Sequence, residues 1–259
     1  NKSIANMLMG NSRDYSKNIE SSIAPGTLVD SQTLVSQTQD RMWRALKRRY
    51  QYDSTLKLGQ DFLFNHVNSK LSLVIVYADL VGSTNMIMSL PVDKVVTIIR
   101  AFSYEISSVV YCYSGYVLKY VGDAIIAYFP VEINYTHACD TAIDCSYLMI
   151  HILEKAINPV ISVHGYDGLQ LKIGIDSSDH SVIQYVIGEK LYLDILGYGI
   201  SMAAKLSSLA KSDEVIISHA IYTGMHSSLR KTFSELELDP RIWKYIDERF
   251  QPGVWKSHL

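Results

Sequence analysis

Two acidic residues stand where the chain changes direction. Asp79 closes an apolar, β-branched run over residues 71–77 and precedes Leu80-Val81-Gly82-Ser83-Thr84, whose glycine and hydroxyl groups suit a tight turn into a helix. Asp123 follows Gly122 between two β-rich runs, 116–121 and 124–129, which places it at the tip of a hairpin. Two carboxylates brought together at a sheet edge repel, and the pair is stable only when one is protonated or a cation lies between them. A turn of this composition at a helix N-terminus offers backbone N–H groups to phosphate, and beside it the natural cation is Mg²⁺. Two such ions about 3.5–4 Å apart activate an attacking oxygen and steady a leaving pyrophosphate. Taken singly, Asp79 reads as a helix cap and Asp123 as a turn residue. Taken together they describe a phosphoryl-transfer site.

Particular elements must bring these residues together. Helical spacing runs through Val95, Ile98, Ile99, Phe102 and Ile106, and again through Ala138, Ala142, Cys145, Met149, Ile152 and Ala156. Residues 169–176 and 181–188 read as two further strands, 197–210 as a helix with Met202, Leu206 and Leu209 on one side, and 215–218 as another strand. The order strand, helix, hairpin, helix, strand predicts an α+β fold of the ferredoxin-like, split βαβ type, elaborated at its C-terminal end. There the first strand and the hairpin lie side by side, so Asp79 and Asp123 approach each other across 44 positions of sequence.

The catalytic core is predicted over residues 69–259, with an N-terminal extension over 1–68. Residues 1–36, rich in Ser, Asn and Thr with one Pro25-Gly26, read as a mobile arm or an irregular strap, and 37–67 as basic and partly helical. The run Lys47-Arg48-Arg49 reads as a solvated helix face. Hydrophobic residues make up 48% of the 259 and charged residues 19%, so most of the chain is expected to be globular. A formal charge of −2 supplies no field for a nucleic acid or an anionic membrane, and any phosphate binding must be local. Cys112, Cys139 and Cys145 lack metal-ligand spacing and read as buried, reduced thiols. No apolar run is judged long enough to span a bilayer, and a cytoplasmic location is expected.

Tyr77-Ala78-Asp79-Leu80-Val81-Gly82-Ser83-Thr84 and Tyr116-Val117-Leu118-Lys119-Tyr120-Val121-Gly122-Asp123 closely resemble the two metal-binding motifs of class III nucleotide cyclases. The resemblance extends over roughly residues 70–220 and implies the cyclase catalytic fold. It implies that Asp79 and Asp123, with the backbone of Leu80, hold two Mg²⁺ or Mn²⁺ ions. It further implies that the backbone of Leu80, Val81, Gly82, Ser83 and Thr84 cradles the β- and γ-phosphates of a nucleoside triphosphate. Lys119 matches the family's base-reading lysine, and Asp194 of Asp194-Ile195-Leu196-Gly197 matches its partner. An ammonium that donates to N1 and a carboxylate that accepts from the exocyclic amine suit adenine, whereas guanine presents the reverse pattern. ATP is therefore the expected substrate and cyclic AMP the expected product.

Two positions depart from the family pattern. Where the family has a ribose-orienting Asn and a charge-neutralising Arg, this chain has Ser201 and Lys205, four apart on one helix face. Serine is shorter, and lysine keeps the charge without the planar fork, so slower turnover or a shifted preference is expected. The alternatives are a cyclase for another base, cyclic GMP or a pyrimidine product included, and a nucleotide-binding module that does not turn over. The resemblance also implies a homodimer with two shared sites, the metal carboxylates coming from one protomer and the base, ribose and charge-neutralising residues from the other. The Gly-Gly-Asp/Glu-Glu-Phe signature of diguanylate cyclases is absent. Arg241 and Lys244 are further candidates for the triphosphate, singled out by no motif.

Overall fold

β1 (Lys70–Val81) is the spine of the molecule, buried along Leu73–Val76 and hydrogen-bonded on both sides. The computed structural model describes residues 30–48, 56–188, 190–239, 243 and 253–258. After α1 (Ser31–Arg48), α2 (Lys57–Phe64) and β1 come α3 (Ser83–Ser89), α4 (Val92–Cys112) and the hairpin β2 (Tyr116–Val121) and β3 (Ala124–Pro130). Next are α5 (Tyr135–Ile152), α6 (Asn158–Val163), β4 (Gln170–Ile187), β5 (Lys190–Leu196) and α7 (Tyr198–Leu209). The chain continues through β6 (Glu214–Ser218), α8 (His219–Gly224), α9 (Ser227–Arg230), β7 (Phe233–Glu235) and β8 (Val254–Ser257). The strands form one sheet ordered β2-β3-β1-β4-β6-β8-β7, with β5 paired to β4 alone. β1 runs antiparallel to β3 and β4, and β4 runs parallel to β6. This is the expected α+β architecture.

Side-chain alternation along β1 divides the core. Val74, Val76, Ala78 and Leu80 join the large cluster beneath α1, α4, α5 and α6. Leu73 and Ile75 join a second cluster with Leu63 of α2, Leu193 and Ile195 of β5 and Ala203 of α7. Helix α7 can lie close on β4 because Gly174 has no side chain: a Cβ there would meet the Ala203 carbonyl oxygen at 2.0 Å. Larger residues at 174 would push α7 off the sheet.

Three expectations are corrected. Residues 31–36 are not an irregular strap but the first turns of α1. The Asp30 carboxylate accepts from the Thr33 N–H at 3.0 Å, and Leu34, Thr38, Met42 and Ala45 form its buried stripe. Residues 170–187 make one strand, not the two that the sequence pattern predicts either side of Ser177-Ser178-Asp179-His180. The polar run stays extended because distant elements bond three of its four side chains. Ser177 Oγ donates to Tyr135 Oη, Ser178 Oγ accepts from the Gly199 N–H, and Asp179 accepts from the Ser72 hydroxyl. Helix α4, at 21 residues, is by length and composition apolar enough to cross a membrane, but 67% of its 18-residue apolar window is buried inside the protein.

Between α5 and α6 the helix passes through a π turn, Leu153–Ile157. Pro159, in the first turn of α6, has no N–H and its ring crowds the carbonyl four residues back, which accounts for the widened turn.

Candidate active site

The pairing of β1 with β3 ends at Ala78 opposite Ile125. One residue further along β1 is Asp79, and just before Ala124 on the other strand is Asp123 at the hairpin turn. Asp79 lies within the strand and does not cap α3, whose N-terminal cap is Gly82 with φ 79°, a left-handed conformation suited to glycine. No side chain caps α3.

The electrostatics of the two carboxylates show that they are neighbours. Burial raises the pKa of half-buried Asp79, and the negative charge of Asp123 raises it again, against the Leu80 N–H and Lys172, which lower it. The Tyr77 phenol, raised first by its own burial, also feels both carboxylates. Asp123 Oδ2 is buried without a hydrogen-bond partner among the described residues. A buried, unpartnered carboxylate oxygen beside a second acid is an arrangement that a divalent cation would satisfy. No group of three His, Cys, Asp or Glu side chains suited to a metal occurs among the described residues. Asp79 and Asp123 supply two carboxylates, so an ion held between them would need further oxygen donors from backbone or ligand.

Lys119 and Asp194 form a second pair. Lys119 Nζ donates to Asp194 Oδ2 at 2.5 Å, and the other carboxylate oxygen accepts from the Ile195 N–H at 2.9 Å. A bulge makes this possible. The β2–β3 register shifts between Val117, opposite Ala127, and Lys119, opposite Ile126. Ala127 belongs to the helix-covered cluster and Ile126 to the second one, so the bulge turns Lys119 onto the face that carries β5 and α7. Without the extra residue Lys119 would share the buried face of Val117. Asp194 sits in β5, and the cap of α7 is Gly197, so the capping role is excluded for it as well.

Ser201 and Lys205 lie on α7 away from its buried residues Gly199, Met202, Ala203, Leu206 and Ser207; Ser201 is exposed and Lys205 half-buried. Arg241 and Lys244 lie outside the described residues. One residue escaped the sequence analysis. Lys172 of β4 is directly opposite Asp79 in the β1–β4 register, and its charge lowers the Asp79 pKa. A lone lysine between Leu171 and Ile173 was the available signal, but nothing in sequence gives the register.

A family model described as "Adenylate and Guanylate cyclase catalytic domain" matches residues 66–240, more than half of the chain. The chain belongs to this cyclase family. Its fold agrees: the adenylyl cyclase CyaB from P. aeruginosa superposes with a TM-score of 0.63 at 16% identity, over 74% of this chain and 95% of that one. The guanylyl cyclase Cya2 gives the same TM-score and identity over 74% and 93%. A "Class III adenylyl cyclase-like ATP-binding protein" from Pseudomonas aeruginosa gives 0.58 at 17% identity, over 63% and 37%. By sequence, a cytidylate cyclase of Staphylococcus aureus is 21% identical over 193 residues, 73% of this chain and 45% of that protein. An uncharacterized protein of Rhizobium meliloti is 26% identical over 140 residues, 54% and 13%. The cyclase chain thus spans less than half the length of these curated relatives. Class III cyclases use divalent metal ions, in keeping with the acidic pair of this cyclase domain.

Proposed function

We propose that this cyclase domain converts ATP into 3′,5′-cyclic AMP and pyrophosphate in a homodimer, with two Mg²⁺ or Mn²⁺ ions per site. The observation that carries the reading is the acidic pair: the Asp79 pKa is raised by burial and then by the charge of Asp123, and Asp123 keeps a buried oxygen with no partner among the described residues. Asp79, Asp123 and the Leu80 backbone would hold the ions, which when bound supply charge neutralisation at the triphosphate and activation of the attacking oxygen. The 3′-hydroxyl gives its proton to solvent water, its oxygen bonds to the α-phosphorus, and the bond from that phosphorus to the bridging oxygen breaks, releasing pyrophosphate.

The remaining roles fall to groups already placed. The backbone from Leu80 to Thr84 holds the β- and γ-phosphates, and Lys172, beside Asp79, adds positive charge there. Lys119 and Asp194 present one donor and one acceptor to the base, the pattern complementary to adenine. Ser201 serves the ribose and Lys205 the charge that develops on the phosphate, both from the open side of α7. The exposed apolar residues of the β4–β5 arm, Tyr185, Val186, Leu191, Tyr192 and Leu196, support pairing with a second copy. Within the same proposal, residues 1–68 are a regulatory or dimer-stabilising extension, residues 69–259 the catalytic domain, and the cytoplasm its location.

The alignment with a cytidylate cyclase over 73% of the chain favours a second reading, in which the product carries a pyrimidine base. Incubating the protein with ATP, GTP, CTP and UTP in parallel, with Mg²⁺ or Mn²⁺, separates the two. Cyclic AMP as the main product, abolished by Asp79→Ala or Asp123→Ala, supports the first. Four intact triphosphates with either metal would remove cyclase activity altogether.

A further inference from the structure

Among the described residues β5 is an edge strand that pairs with β4 on one side. Of its residues, Leu193 turns its N–H and C=O outward, where unpaired backbone groups are costly when covered. Gln60 of α2 meets both. Its Nε2 donates to the Leu193 carbonyl at 3.3 Å, and its Oε1 accepts from the Leu193 N–H at 3.3 Å. The carboxamide thus takes the place of a neighbouring strand for one residue, and the next residue in the chain is Asp194.

The residue beside Gln60 does the corresponding work on β2. Gly59 is buried, and a Cβ there would stand 2.4 Å from the carbonyl oxygen of Val117, the residue at which the bulge begins. Its own carbonyl accepts from the Tyr128 hydroxyl at 2.8 Å, which ties it to β3. One helical turn of α2 therefore bridges the strand that aims Lys119 and the strand that aims Asp194. Phe62 stacks on Tyr116 at 4.7 Å and Leu63 is fully buried in the second cluster, so the helix has little freedom to slide.

We infer that Gln60 is a positioning residue for nucleotide-base selection, holding Asp194 at the spacing from Lys119 at which the two read one base. Because Lys119 and Asp194 enter as the base-reading pair, the role of Gln60 rests on the proposed cyclase function. Its effect is on which base is preferred and how tightly, and less on the rate once the triphosphate is seated. Both hydrogen bonds of the side chain go to the Leu193 backbone, so a change there leaves the acidic pair as it is.

The test uses the full chain with Gln60→Met, which keeps length and apolar packing but cannot form either bond, and Gln60→Glu, which keeps an acceptor for the Leu193 N–H and loses the donor. Steady-state rates with the four triphosphates give kcat and KM, calorimetric titration with non-cyclisable analogues of the four bases gives affinity, and hydrogen exchange reports the Leu193 amide. For Gln60→Met, KM for the preferred nucleotide rises about five- to tenfold, and the preference over the next base narrows by a similar factor, the scale of one or two lost hydrogen bonds. Exchange at Leu193 accelerates, kcat changes by less than about twofold, and Gln60→Glu falls between the variant and the parent. An unchanged order and ratio of bases, or an equal loss for all four in step with a lower melting temperature, overturns the role. Lys119→Ala and Asp194→Ala are measured alongside. If they leave base preference intact, the base-reading assignment falls and the role of Gln60 falls with it; if they abolish it while Gln60→Met does not, only the role of Gln60 falls.

Discussion

Lys119 Nζ lies 2.5 Å from Asp194 Oδ2 although 75 positions separate them, and the pair stays partly open to solvent at 39% and 27% side-chain exposure. An ion pair that open contributes little to folding. Its value lies in offering one donor and one acceptor at a fixed spacing. Lys119→Ala or Asp194→Ala is expected to lower kcat/KM for ATP by about 10²-fold while leaving the melting temperature nearly unchanged, since a base edge is left with an unpaired group. Exchanging the charges, Lys119→Glu with Asp194→Lys, reverses the pattern and shifts preference from adenine toward guanine. Competition kinetics with ATP and GTP measure both effects.

The acidic pair makes the metal-free protein sensitive to pH. Because burial and Asp123 raise the Asp79 pKa, the folded state holds that proton more tightly than the unfolded chain. Stability without metal therefore falls as pH rises from the ordinary carboxylate value through the raised one. Thermal melts in EDTA should show this slope, and Asp79→Asn should flatten it. At pH 7.5, Mg²⁺ at a hundred times its dissociation constant should add about 2.7 kcal/mol to the parent, an increment lost in Asp79→Asn.

Lys172 faces Asp79 across the β1–β4 register and opposes the rise of its pKa. Removing that charge in Lys172→Ala should move the acid limb of the kcat/KM profile to higher pH, because Asp79 then needs a higher pH to ionise. The KM for the triphosphate should rise as well. A pH profile from 5 to 9, compared with Lys172→Arg, which retains the charge, checks both.

Asp176, in the middle of β4, is buried with one oxygen unpartnered among the described residues, and burial pushes its pKa up to about 6 despite a bond from Ser218. Its contribution runs in the same direction as that of Asp79: stability is lost as pH rises from the unfolded carboxylate value, near 3.8, to about 6. Asp176→Asn should therefore stabilise the protein at pH 7.5, by about 2–3 kcal/mol, and have little effect near pH 4. Urea denaturation at the two pH values measures the difference.

The Arg41 guanidinium holds the Glu105 carboxylate at 2.7 Å, with the Thr38 hydroxyl donating to the same oxygen at 3.0 Å. Glu105 is fully buried, and burial raises its pKa against the pull of Arg41. Arg41→Ala leaves that charge uncompensated and should cost about 3–5 kcal/mol, whereas Arg41→Met with Glu105→Leu should recover most of the loss. The same denaturation experiment distinguishes them, and shows how firmly α1 is tied to α4.

The acidic motifs were legible because each sits in a strong local context: an apolar run ending at Asp79, and a Gly-Asp step between two β-rich runs at 123. Helix and strand periods likewise announced α4, α5, α7 and the hairpin. The polar run from Ser177 to His180 was misread as a break because its hydrogen-bond partners, Tyr135, Gly199 and Ser72, are remote in sequence. Asp30 capping α1 and Pro159 widening the helix after α5 were local signals that were there to be used.

Residue types and short-range spacing thus determined the kind of chemistry, the α+β order of elements and which acids, lysine and carboxylate to look at. Tertiary structure alone decided which face Lys119 presents, that Lys172 stands opposite Asp79, and that Gln60 reaches the edge beside Asp194. The physical reason is that side-chain direction in a sheet depends on register and bulges. These are set by pairing between strands and by packing across two clusters, and a shift of one residue reverses the face without altering any local pattern.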